Sequence, residues 1–206
     1  MKTEILSAED PNAIPRATAV LESGGLVAFP TDTVYGLAGA TFSAASIEKI
    51  FSAKERDAAK AIAVLVGGTT DLPLITAGLT EAAGLLANRF WPGALTLIVP
   101  KHPNLPAVIS PYPSVGVRMP NHVFALSLLR QTGPLATTSA NRSGGANAST
   151  PAEVLEQLDG RVDLLIDGGA CPGGVPSSVV DCTVDPPGIL RAGAISAAAI
   201  QAALAE

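Results

Sequence analysis

The segment Leu26-Val27-Ala28-Phe29, followed by Pro30-Thr31-Asp32-Thr33-Val34-Tyr35-Gly36-Leu37, decides the fold class. Four apolar residues closed by a proline read as a short buried strand, and the polar residues leaving it read as a loop. A few residues on, Ser43 can cap a helix whose apolar positions Ile47, Ile50 and Phe51 share one helical face. This alternation of strand and helix continues in both directions. Further strands are predicted at Ala61–Val66, Leu95–Val99, Val115–Arg118, Leu135–Thr138, Leu164–Asp167 and Val179–Cys182. Ala13, Ile14, Ala17, Val20 and Leu21 form one helical face, and helices are also predicted over Thr80–Phe90, Val123–Arg130 and Ser196–Ala205. Thr150-Pro151-Ala152-Glu153 reads as a capping box with proline at the first helical position. The pattern predicts an α/β protein, a twisted sheet of mixed parallel and antiparallel strands flanked by helices, in one domain over 1–206. Chemistry is expected in the polar loops at the strand ends.

A composition of 48% apolar and 15% charged residues can bury a sizeable core and excludes the disordered and coiled-coil classes. The net charge of −5 argues against a protein that coats nucleic acid through a generic cationic surface, but a local basic site is compatible with it. Cys171 and Cys182 have no zinc-ligand spacing and are too few for a disulfide framework, so free thiols and a cytoplasmic location are expected. No apolar run approaches the ~20 residues that span a bilayer, and Met1-Lys2-Thr3-Glu4-Ile5-Leu6 does not read as an export signal, so no membrane association is expected. The two standard phosphate-binding glycine loops are absent. His102 and His122 fall in no His-Glu-x-x-His pattern and no Gly-x-Ser-x-Gly elbow occurs, which argues against zinc and serine-triad hydrolysis. Both histidines read as loop or surface residues.

Hydroxyl-rich and basic segments stand beside the predicted strands. Thr31, Asp32, Thr33 and Tyr35 offer hydroxyls, a carboxylate and a phenol, or else build an ordinary Asx- or Thr-capped turn. Lys54-Glu55-Arg56, with Lys60 following, gathers cations that repel one another unless an anion such as phosphate compensates them; a solvated helix end is the alternative. Ser114-Val115-Gly116-Val117-Arg118 is an alternating strand that could aim a guanidinium at a carboxylate or phosphate, or make a surface ion pair. Thr137-Thr138-Ser139-Ala140-Asn141-Arg142-Ser143-Gly144-Gly145 is suited to cradle anionic oxygens. Two further candidate junctions are Gly173–Asp181 and Ile189–Gly193. Lys54, Arg56, Lys60, Arg118, Arg142 and Arg191 supply six of the 13 cations of an acidic chain, a disproportionate share for strand-adjacent loops.

Taken in order, these segments resemble the YrdC/Sua5 family, the threonylcarbamoyl-AMP synthases of tRNA modification. The resemblance runs from about Gly24 to Gly193 on Pro30-Thr-Asp-Thr-Val-Tyr-Gly-Leu37, Lys54-Glu-Arg56, Phe90-Trp-Pro-Gly-Ala-Leu-Thr96, Val117-Arg-Met-Pro120, Thr138-Ser-Ala-Asn-Arg-Ser-Gly144, Ser177-Ser-Val-Val-Asp181 and Leu190-Arg-Ala-Gly193. It implies a twisted sheet around a concave, positively lined cavity that binds ATP and L-threonine. By motif position, Thr33, Arg118, Thr137 and Ser177 resemble contacts to threonine. Lys54, Arg56, Lys60, Ser114, Ser139, Asn141 and Arg191 resemble contacts to ATP, with Lys54 and Arg56 as the catalytic cations. The chain departs from the family pattern at Asp57, at the Lys60-Ala61 step, at apolar Leu65 and at Ala192, and it looks like the short form without an additional C-terminal domain.

The resemblance implies that L-threonine, bicarbonate and ATP give threonylcarbamoyl-AMP and pyrophosphate, with the product passed to a threonylcarbamoyl-transferase complex that acts on adenosine 37 of tRNA. A weak RNA contact is compatible with this. Catalysis would need positioning and charge neutralisation rather than a covalent nucleophile. Magnesium is expected with the triphosphate, held by phosphate oxygens and water rather than by a dedicated protein metal site. The Lys54–Lys60 segment is the candidate lid over a labile carbamate. Two other readings stay open: an RNA-binding module that uses the basic concavity without chemistry, and a carbamoyl-transfer relative acting on another amine or acid.

Overall fold

The computed structural model describes residues 2–205. In chain order its elements are β1 (Glu4–Ser7), α1 (Ala13–Glu22), β2 (Val27–Phe29), β3 (Gly36–Ala40), α2 (Ala44–Lys54), β4 (Ala63–Leu65), α3 (Leu72–Ile75), α4 (Glu81–Phe90) and β5 (Leu95–Pro100). They continue with β6 (Ser114–Arg118), α5 (Val123–Thr132), β7 (Leu135–Ser139), α6 (Pro151–Leu158), β8 (Leu164–Asp167), β9 (Ser178–Asp181), β10 (Gly188–Arg191) and α7 (Ala197–Leu204). The strands form one 10-stranded sheet in the order β1-β8-β2-β3-β7-β4-β6-β5-β9-β10. Pairings are parallel for β1/β8, β2/β8, β4/β6 and β5/β9 and antiparallel for the rest, which is the mixed sheet expected.

Local chemistry sets several boundaries where the sequence located them. Ser43 accepts the Ser46 amide at 3.2 Å to start α2, and the Thr150–Glu153 capping box opens α6. Three strands and a short helix escaped the sequence reading. β1 is only four residues long, and β10 read as a plain junction. β3 reads as a loop because Gly36 and Gly39 lack strand propensity, yet its pairing with both β2 and β7 holds it extended. α3 is a single turn.

Strand alternation divides the interior in two. Ala28, Leu37, Val64, Leu97, Val117, Ala136, Leu165 and Val180 point to the face covered by α2, α4, α6 and α7. Val27, Phe29, Ala38, Leu65, Leu135, Leu164 and Ile166 point to the other, where α1 and α5 lie. That second cluster draws on β2, β3, β4, β7 and β8 but not on β5, β6 or β9. Toward that end of the sheet the same face lacks a helical cover, and its alternate positions Thr96, Ile98, Gly116, Arg118 and Val179 line a cavity instead.

Leu97 is fully buried between Val117 and Val180. Leu97→Ala is expected to lower the unfolding free energy by about 2–5 kcal/mol, read as a lower urea midpoint at an unchanged slope.

Candidate functional site

The cavity, about 310 Å³ in volume, is at the small end of the roughly 300–1,000 Å³ range of small-molecule clefts. Its floor is the sheet itself. Gly36, Ala63 and Gly116 keep the floor low: a Cβ on Gly116 would lie 3.2 Å from Thr96 Cγ2 and 3.4 Å from Ala63 Cβ. Three arginines, Arg56, Arg118 and Arg191, line it together with the hydroxyls of Thr31, Thr33, Thr96, Thr137, Thr138, Ser139 and Ser177, and no carboxylate among the described residues does. Such a lining favours an anion.

Arg118, at the end of β6, is the most constrained member. Its side chain is 8% exposed; Nε donates to the Gly93 carbonyl at 2.9 Å, Nη1 donates to Thr33 Oγ1 at 2.8 Å, and Nη2 pairs with Asp32. Burial pushes its pKa down, and the Asp32 carboxylate works against that shift. Across the cavity, Ser177 Oγ receives Arg191 Nη2 at 3.2 Å and lies 2.8 Å from Thr96 Oγ1, while Arg191 Nε donates to the Ser177 carbonyl at 2.9 Å. The turn after β10 can approach this clamp only because residue 193 is glycine, since a Cβ there would fall 2.3 Å from the Pro176 carbonyl oxygen.

Among the residues singled out from the sequence, Thr33, Arg56, Arg118, Thr137, Ser139, Ser177 and Arg191 line this one cavity. Lys54, Lys60, Ser114 and Asn141 do not. Ser114 shares the face of Gly116 and Arg118 but lies further along β6, opposite Pro100. Lys60 is exposed beyond α2. Lys54 is buried behind the wall, where Nζ donates to the Ser139 carbonyl at 2.5 Å and to that of Asn141. Asn141 closes the same turn by donating to the Arg142 and Gly145 carbonyls at 2.8 and 2.9 Å. Arg142 points away and forms an exposed pair with Glu55 at 2.9 Å, and Arg161 meets the same carboxylate at 2.8 Å. These pairs hold the first turn of the 54–60 segment, while Arg56 reaches back to the Ala61 carbonyl at 2.8 Å.

The Tyr35 phenol is also committed elsewhere: it donates to the Gly169 carbonyl at 2.7 Å and accepts the Gly168 amide at 3.1 Å, and burial raises its pKa to about 12. Thr31, Thr96, Thr138 and Asn147 line the cavity without having been assigned an individual role from the sequence. Thr96 was detectable as the only hydroxyl within the apolar strand Leu95–Val99. Asn147, in an irregular loop, carried no such signal.

The model named for Sua5, YciO and YrdC and described as telomere recombination matches residues 19–193. The chain belongs to the Sua5/YciO/YrdC family. A Bacillus subtilis (strain 168) protein named threonylcarbamoyl-AMP synthase is 40% identical over 205 residues, covering 98% of this chain and 59% of that protein. A doubly substituted Pyrococcus abyssi Sua5 superposes with a TM-score of 0.94 at 36% identity, over 99% of this chain and 61% of that one. P. abyssi Sua5 complexed with L-threonine gives a TM-score of 0.85 at 40% identity, over 87% of this chain and 54% of that one. The chain thus spans little more than half the length of these relatives. No helix among the described residues is long and apolar enough to cross a membrane, and both cysteines are free and buried.

Burial, reinforced by the Arg56 charge, lowers the Lys54 pKa from 10.5 to about 7. Between these two values the unfolded chain holds a proton on Lys54 that the folded chain has released, so stability contributed by this group climbs with pH across that window. The unfolding free energy of wild type relative to Lys54→Met is therefore expected to rise between pH 7 and 10, read from urea denaturation at each pH. A constant difference would remove the assignment.

Proposed function

We propose that this cavity binds ATP and L-threonine and that the chain, with bicarbonate, forms threonylcarbamoyl-AMP and pyrophosphate. The observation that carries the reading is the Arg118 clamp, a buried guanidinium held by Thr33, Asp32 and Gly93 inside a cavity that two further arginines line. The likeness to a Sua5 protein complexed with L-threonine supports it. In this reading Arg118, Thr33, Thr137 and Ser177 hold the amino acid, with the carboxylate on Arg118. Arg56, Ser139 and Arg191 face the nucleotide, while Ser114, further along β6, and the exposed Lys60 would meet it outside the cavity. Lys54 and Asn141 act from behind by holding the turn after β7.

The threonine amine and bicarbonate join as a carbamate with loss of water; a carbamate oxygen attacks the α-phosphorus of ATP, the bond from that phosphorus to the bridging oxygen breaks, and pyrophosphate leaves with the electron pair. The mixed anhydride that results needs no covalent enzyme intermediate, and the arginines offset charge on the transferring and leaving phosphates. Magnesium would arrive with the triphosphate. The hydroxyls and guanidinium groups of the lining would hold the triphosphate that carries the ion, whose remaining ligands would be phosphate oxygens and water. We further propose a cytoplasmic setting, compatible with the free thiols, and delivery of the labile product to a threonylcarbamoyl-transferase complex acting on tRNA.

Mass spectrometry after incubation with threonine, bicarbonate and ATP is expected to detect threonylcarbamoyl-AMP; RNA binding with no adenylate formed would favour the binding-module reading. In a pyrophosphate-release assay, Arg56→Ala is expected to raise the KM for ATP and Arg118→Ala that for threonine, each by about ten- to a hundredfold, the loss of one charge-assisted contact. Wild-type kinetics in either variant would remove that residue from the mechanism.

A further inference from the structure

Thr31 is buried beside Thr33, and its hydroxyl makes three contacts: the Val34 carbonyl at 2.7 Å, the Thr33 amide at 3.1 Å and Thr33 Oγ1 at 3.0 Å. Chemistry fixes the direction of the first two. A carbonyl oxygen cannot donate, so the single Thr31 hydrogen lies on Val34; an amide N–H cannot accept, so Thr31 receives that one. Its hydrogen spent, Thr31 can only accept from Thr33 Oγ1, and the Thr33 hydrogen therefore points at Thr31. On its other side Thr33 Oγ1 receives Arg118 Nη1 at 2.8 Å. A hydroxyl offers one donor and two acceptor sites. The donor and one acceptor of Thr33 are used within the protein, and what remains for the cavity it lines is one lone pair.

Arg118 presents the opposite polarity. Three of its five N–H groups go to Gly93, Thr33 and Asp32, and two have no partner among the described residues. A ligand that satisfies both neighbours sets an N–H or O–H against Thr33 and an anionic oxygen against Arg118. An anionic oxygen on Thr33 would instead set a lone pair against the one that Thr33 has left, so the wrong orientation is disfavoured.

We infer that Thr31 is a positioning residue that locks Thr33 as an acceptor, so that this corner of the cavity reads the amine N–H of an α-amino acid beside its carboxylate. The inference rests on the amino-acid reading of the cavity above and adds its orientation and the residue that sets it. One N–H survives conversion of the amine to a carbamate and then to the mixed anhydride, so the contact persists from substrate to product.

Calorimetric titration of the full chain with L-threonine and with (R)-3-hydroxybutanoate, which has hydrogen in place of the amino group, tests this. Wild type is expected to bind L-threonine at least about tenfold more tightly, the scale of one buried polar contact. Thr31→Val releases the Thr33 hydrogen and is expected to shrink that ratio about fivefold, through weaker threonine binding, while Thr31→Ser keeps the hydroxyl and restores it. A wild-type ratio near one, an unchanged ratio in Thr31→Val, or an equal loss for both ligands overturns the inference. The wild-type ratio decides even if Thr31→Val fails to fold. Failure of wild type to bind L-threonine at all removes the amino-acid reading, and the inference with it.

Discussion

A charged side chain that is only 8% exposed is costly to keep ionised, and the structure around Arg118 follows from that cost. Asp32 offsets the charge, while Gly93 and Thr33 accept from two of its nitrogens. These partners come from the loop between β2 and β3 and from the turn before β5, so one buried cation ties together segments that the chain order separates by 25 to 86 positions. A buried pair of opposite charges is weak as a source of stability but strong as a constraint on geometry. Here it fixes where the threonines of the Pro30–Leu37 segment stand relative to β6.

The cavity exists because the sheet is wider than the helices that cover one of its faces. Under α1 and α5 the alternate strand positions are Val, Phe and Leu; beyond them the same alternation delivers Thr96, Gly116, Arg118 and Val179. The opposite face is mostly apolar, with Leu95, Leu97, Val99, Val115, Val117 and Val180 packed in one cluster, which lets these strands carry polar groups on the cavity side without losing their anchorage. The cavity is therefore built on paired strands rather than on free loops, with glycine and alanine at the floor and longer groups around the rim. Behind it a second set of contacts, Lys54 on the Ser139 and Asn141 carbonyls and the Asn141 amide on Arg142 and Gly145, holds the turn that follows β7.

Seven of the ten strands and the six longer helices were legible as apolar runs or helical faces, because burial on a period of two or of three to four leaves its mark on residue type. β3 was not, since its small residues fit a sheet only through neighbours on both sides. For the site, residue type and motif order were sufficient to single out Arg118, Thr33, Ser177 and Arg191. They could not separate Arg56, which lines the cavity, from Lys54, two residues earlier and buried behind its wall. Nor could they tell that Arg142 turns outward to Glu55.

Taken alone, the amino-acid order determined the fold class, the helix starts at Ser43 and Thr150, and the inventory of cations and hydroxyls that any site would use, because each of these depends on local pattern or on composition. Only the tertiary structure decided which side of each strand faces the cavity, which cations share it and which way the threonine hydroxyls point. Those outcomes depend on strand register and on partners as far as 86 residues away, such as Asp32 for Arg118, and a hydrogen bond acquires its direction only when both of its ends are in place.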